Sequence, residues 1–164
     1  MPESEWPHII FFAETWFTDG SDVNIKDYQI HRLDRSGRGG GVAIYFRRDI
    51  AVLDMAAQIP QLAEARVDDD NPSSSLIEQV WAVIEYGEER FLVGSMYRPH
   101  DRNDAVLDKI TTIITTATNS LPKLNCSAML LFGDFNFSHT SYELLDVGGV
   151  LPLLLTLRTS GREI

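Results

Sequence analysis

At 164 residues, with 44% hydrophobic and 23% charged positions, the sequence has the composition of one ordinary domain with enough apolar material for a real core. No stretch reaches the roughly 18 apolar residues of a membrane span, and residues 1–8 lack the basic start of a secretory leader, so a soluble, intracellular chain without a membrane partner is expected. A net charge of −10 argues against a general nucleic-acid binder, and the single cysteine, Cys126, rules out an internal disulfide or a cysteine zinc cluster.

The charge is unevenly spread. Residues 31–48 hold five arginines (Arg32, Arg35, Arg38, Arg47, Arg48) against Asp34, whereas residues 49–90 hold ten acids against Arg66 and Arg90. A phosphate-facing surface would draw on the first stretch, although an arginine run taken alone is more often a solvated face.

In chain order, residues 8–13 form an apolar run too short for a solitary helix and rich in strand formers, which predicts a buried strand ending at Glu14. Residues 28–35 read as an exposed strand. After the turn signals at 36–41, residues 42–46 predict a second buried strand, with 51–55 continuing the ribbon. Residues 60–75 read as a surface loop. The runs 80–86 and 91–97, separated by Gly87, Glu88 and Glu89, predict a hairpin. Asn103 or Asp104 then caps a helix whose apolar positions Val106, Leu107, Ile110, Ile113, Ile114, Ala117 and Leu121 recur every three or four residues, and Pro122 closes it. A last buried strand at 128–132 delivers Gly133 to Asn136 to its end. Strands apolar on both faces together with a helix indicate a layered α/β arrangement.

Four places carry chemistry: Glu14 at one strand end, Tyr97-Arg98-Pro99 at another, Gly133-Asp134-Phe135-Asn136 after a third, and the Gly39 to Gly41 loop. Alternate residues of extended chain point the same way, so Asp134 and Asn136 can converge. A carboxylate there can orient or deprotonate water, and an amide can donate to a phosphate oxygen. Glu14 offers a hard oxygen to magnesium. Each has a plainer reading: an acid after a strand is commonly a cap or turn former, Tyr97 by itself is most often core, and the glycines lack the Lys-Ser/Thr ending of a P-loop. His8, His31, His100 and His139 show no paired ligand spacing.

Taken in order, the segments Phe12-Ala13-Glu14-Thr15-Trp16-Phe17, Arg38-Gly39-Gly40-Gly41-Val42-Ala43-Ile44-Tyr45, Gly94-Ser95-Met96-Tyr97-Arg98-Pro99 and Leu131-Phe132-Gly133-Asp134-Phe135-Asn136 resemble the endonuclease domain of non-LTR retrotransposons. That domain belongs to the endonuclease/exonuclease/phosphatase superfamily. The resemblance implies a deoxyribonuclease I-like, four-layered α/β sandwich in partial form: two packed mixed sheets flanked by helices, over residues 1–140, with residues 141–164 a divergent tail.

By the same resemblance the chain nicks DNA with Mg2+ or Mn2+. Glu14 is the metal ligand, Tyr97, Asp134 and Asn136 are catalytic, and Arg98 and Arg38 are weaker phosphate or DNA contacts. A reverse transcriptase domain would be the partner and the nucleus the destination. Family domains begin one strand earlier, with an asparagine near the metal, and end with a Ser-Asp-His segment that this sequence does not show. Weak or absent activity is therefore expected. A non-catalytic interaction module of the same fold, or a phosphoesterase acting on a lipid or small phosphate, are the alternatives.

Overall fold

The β-branched and aromatic run after the glycines, Val42–Arg47, is the central strand (β3) of a small antiparallel sheet, flanked by β1 (Ile9–Ala13) and β2 (Tyr28–Leu33). The computed structural model describes residues 6–34, 39–53, 62, 77–98, 105–136 and 156–157. The predicted hairpin is present as β5 (Glu78–Tyr86) and β6 (Glu89–Tyr97), turning at Gly87-Glu88. With β4 (Ala51–Leu53), β7 (Ala128–Asp134) and β8 (Thr156–Leu157) it makes a five-stranded sheet in the order β4-β5-β6-β7-β8. Helix α1 (Ala105–Leu124) crosses from β6 to β7, which lets those strands pair in parallel. β8, from the stretch read as a tail, lies parallel beside β7.

Period-two alternation decides what each layer packs against. On β3, Ile44 and Phe46 turn inward while Ala43 and Tyr45 turn outward. On β5, Ala82 and Ile84 meet the small sheet and Trp81 and Val83 meet the helix side. The layer between the sheets is closed by Ile50, Val93 and a stacked pair, Phe11 on Phe132 at 4.1 Å. Across the large sheet, Val106, Ile110, Ala117 and Leu121 of α1 cover Leu92, Met96 and Leu131. The architecture is thus the expected α/β sandwich in partial form, with two mixed or antiparallel sheets and one helix among the described residues.

Four expectations are corrected. β1 is a half-buried edge strand rather than a buried one, with Phe12 41% exposed, because among the described residues it has a partner only on its β3 side. β2 is half-buried rather than exposed, since Tyr28 and Ile30 join Tyr45, Trp6 and Phe17 in an aromatic cluster on the outer face of the small sheet. β4 leaves the β3 ribbon and pairs with β5 in the other sheet. Pro122 lies in the last turn of α1 without ending it. The stop comes from Asn125, whose left-handed backbone (φ 59°) lets the Cys126 N–H reach the Leu121 carbonyl at 3.0 Å and its own N–H reach that of Pro122 at 3.2 Å. The loop expected at 60–75 falls largely outside the described residues, as does the cap at Asn103 or Asp104.

Leu131 is fully buried between β6 and α1. Leu131→Ala should lower unfolding free energy by about 2–5 kcal/mol in urea titration, the range for a core cavity that cannot collapse. A loss under about 1 kcal/mol would mean that α1 does not pack on β7 as described.

Candidate active site

Tyr97, the last residue of β6, stands directly opposite Glu78 of β5 on one side and Asp134 of β7 on the other. Residues paired in this way project to one face of a sheet. That face also carries Val80, Ala82 and Ile84, so it is the face turned towards the small sheet. The apolar layer therefore gives way, at one end, to a row of acid, phenol and acid.

Glu14 enters this end from the small sheet. It follows β1 with its backbone in the left-handed region (φ 56°), as does Trp16 (φ 59°). Such torsions are uncommon for non-glycine residues and need support. The support comes from the glycine turn: the Thr15 N–H donates to the Gly41 carbonyl at 3.1 Å and the Trp16 N–H to the Gly40 carbonyl at 2.8 Å. A Cβ on Gly40 would stand 2.5 Å from Glu78 Oε1, so the close approach and a φ of 81° both require glycine there.

The electrostatics tie these residues together. The Tyr97 phenol is pushed up to about 12, first by burial, then by the neighbouring Glu14 carboxylate, then by the charges of Glu78 and Asp134. Tyr97 is 5% exposed, whereas Glu14 lies open to solvent. Among the described residues no group of three or more His, Cys, Asp or Glu is placed to hold a metal ion. An exposed carboxylate beside a buried phenol, in a field made negative by two further acids, suits a hard divalent cation that takes one or two carboxylates and keeps its waters.

Arg98 and Asn136 lock the ends of β6 and β7 together. The Arg98 N–H donates to the Asp134 carbonyl at 2.8 Å, and Nη1 donates to the carbonyls of Asn136 at 3.0 Å and Phe135 at 3.3 Å. In return Asn136 Nδ2 donates to the Arg98 carbonyl at 2.6 Å, and the Asn136 N–H donates to Asp134 Oδ1 at 3.0 Å. Asn136 holds a left-handed backbone (φ 47°) in this turn. The Arg98 guanidinium, 8% exposed, thus meets main-chain carbonyls of the turn that carries Asp134. One Asn136 amide hydrogen is committed to the main chain, leaving the second for another acceptor.

The described arginines of that stretch do not converge on this site, since Arg32, though at this end of β2, is paired with Ala43 on the outer face of the small sheet. Arg47 closes the far end of β3, where it pairs with Asp49 at 2.7 Å and 2.8 Å, and Arg32 pairs with Asp34 at 3.2 Å. Arg38 lies outside the described residues, as do Pro99, His100 and His139. Cys126 is half-buried, and burial pushes its thiol up, away from the range of a reactive thiolate.

Sequence reasoning missed Glu78. Its signal was present: counting back by twos from Ile84, Ala82 and Val80 places this acid in phase with residues that pack between the sheets. A 1% exposed carboxylate in that phase is a functional or structural anchor rather than a solvated charge.

Fold and site together define a two-sheet α/β sandwich with an oxygen-donor centre at one open end. The sequence matches the model of the endonuclease/exonuclease/phosphatase family over residues 5–156, and the chain belongs to that family, among hydrolases of phosphodiesters and phosphate esters. A comparison with curated proteins gave no match. No described helix is long and apolar enough to cross a membrane.

The phenol gives a direct check. Its folded pKa of about 12 exceeds the ordinary 10.0, so the environment of Tyr97 adds stability that is complete below pH 10.0 and is lost as the pH rises towards 12. Alkaline titration at the tyrosinate band in EDTA should show a latest step, beyond the smaller rise that burial gives Tyr45, that is absent in Tyr97→Phe and earlier in Glu14→Gln. An unchanged late step in Tyr97→Phe would place the shifted phenol elsewhere.

Proposed function

We propose that the chain is a magnesium-dependent endonuclease of the non-LTR retrotransposon kind, nicking DNA to supply a primer for a reverse transcriptase domain. The observation that carries this reading is Tyr97, paired across the sheet with Glu78 on one side and Asp134 on the other, with the charge of Glu14 near enough to raise its phenol. Glu14 would hold the cation, which when bound supplies positive charge to a phosphate oxygen. Tyr97 stands beside the Glu14 carboxylate, where its phenol would donate to a metal ligand and orient it. Asp134 takes the proton of the attacking water or orients it, while its Oδ1 is fixed by the Asn136 N–H. Asn136 offers its remaining amide hydrogen to the phosphate, and Arg98 acts through the turn it clamps.

Two features support a polynucleotide substrate. The motifs around Glu14 and the glycine turn resemble those of retrotransposon endonucleases. Trp16, two residues beyond Glu14, is 57% exposed, with its ring beside Gly39. An open aromatic face held beside the reacting centre suits stacking by a base, worth about 1–3 kcal/mol per base in single-strand binders.

Purified protein should nick supercoiled plasmid in magnesium, slowly as expected of a sequence that shows no Ser-Asp-His segment, and stop in EDTA, and Glu14→Ala or Asp134→Ala should lower the rate by about a further 100- to 1,000-fold, as loss of one preorganised group does. Trp16→Ala should raise KM for DNA and leave kcat nearly unchanged. Folded protein that releases phosphate from inositol phosphates but leaves plasmid intact would overturn the DNA reading. Folded protein that turns over neither would make it a non-catalytic relative.

A further inference from the structure

Glu78 stands at the site without a role in the chemistry above. Its carboxylate accepts a hydrogen bond from the Gly41 N–H. Both its oxygens lie so close to Gly40 that a Cβ there would stand 2.5 Å and 2.7 Å from them. The carbonyls of Gly40 and Gly41 in turn receive the N–H groups of Trp16 and Thr15. These are the two residues that follow Glu14, which sits in its left-handed conformation. On its other side Glu78 is paired across the sheet with Tyr97, the phenol that lies in the field of Glu14.

We propose that Glu78 is a positioning residue for this site: through the Gly39 to Gly41 turn it fixes the backbone of Glu14. The inference rests on the hydrolase reading of Glu14. It adds a fourth strand end to the site, because Glu78 opens β5 as Tyr97 and Asp134 close β6 and β7. The hydrogen bond to Gly41 is what matters, and an amide of the same size can accept it. The negative charge of Glu78 is secondary.

The test uses the full chain and three variants, Glu78→Gln, Glu78→Ala and Gly40→Ala, with plasmid-nicking kinetics and amide NMR. Glu78→Ala should lower kcat by about 10- to 100-fold with KM nearly unchanged, since a displacement near 1 Å at a reacting group has that effect. Glu78→Gln should restore most of the rate. Gly40→Ala, which pushes the same carboxylate aside, should resemble Glu78→Ala, and the two losses should not add in the double variant.

In the amide spectra Glu78→Ala should shift Gly41 and Glu14 together, and Glu78→Gln should shift neither strongly. A rate loss that matches the unfolded fraction seen by circular dichroism would overturn the proposal. So would additive losses, a Glu78→Gln variant as impaired as Glu78→Ala, or a Glu14 amide that stays in place when Gly41 moves. If the unaltered protein does not cleave, the nuclease reading fails by itself. The coupled shift of Gly41 and Glu14 then decides the role of Glu78.

Discussion

The site depends on one constraint, the register of β6 between β5 and β7. That register sets Glu78, Tyr97 and Asp134 in a single row. A slip of one residue on either side would turn an acid to the helix face and an apolar residue into the site. The slip is prevented by what lies further along the same strands. Val93 faces the small sheet with Ala82 and Ile84, and Leu92 and Met96 face α1 with Leu131. Apolar packing on both faces of the sheet thus fixes the chemistry at its end, an instance of rigid sheet positioning side chains that loops leave open.

The polar end is held by a second set of contacts, mostly main-chain. The clamp of Arg98 and Asn136 binds the ends of β6 and β7 to each other. The glycine turn binds the end of β1 to the start of β5 through Glu78. Between them these contacts carry left-handed backbone at Glu14, Trp16 and Asn136. The other two left-handed residues outside glycine, Asp27 and Asn125, serve a turn and a helix end, so three of the five described lie where backbone geometry is held before any substrate arrives.

Much of this was legible in the sequence. The hairpin of β5 and β6, the central strand β3 and the core face of α1 followed from alternation and from the three-and-four spacing of apolar residues, since each is decided by packing within its own element. Glu14, Tyr97, Asp134 and Asn136 were readable as strand-end polar groups. What escaped depended on neighbours distant in the chain. β4 changes sheets because Ile84 and Val83 offer it a partner. β2 is covered because Tyr45 and Phe17 meet it. Arg98 reads as a phosphate contact until the carbonyls of residues 135 and 136 are brought to its guanidinium. The arginine stretch reads as one surface until β3 carries Arg47 to the far end of the sheet.

A chain of net charge −10 with three acids around one phenol presents a negative field to any phosphate. A divalent cation at Glu14 would reverse that field locally, as a bound ion commonly dominates its site. The most direct test is paramagnetic broadening of amide signals by substoichiometric Mn2+, chosen because it locates the ion without relying on turnover. The account predicts early loss of the signals of Glu14, Tyr97 and Asp134, with the acidic turn at Glu88 and Glu89 broadening only at higher concentration. Broadening that begins at that turn, or that spreads evenly over the acidic surface, would contradict it.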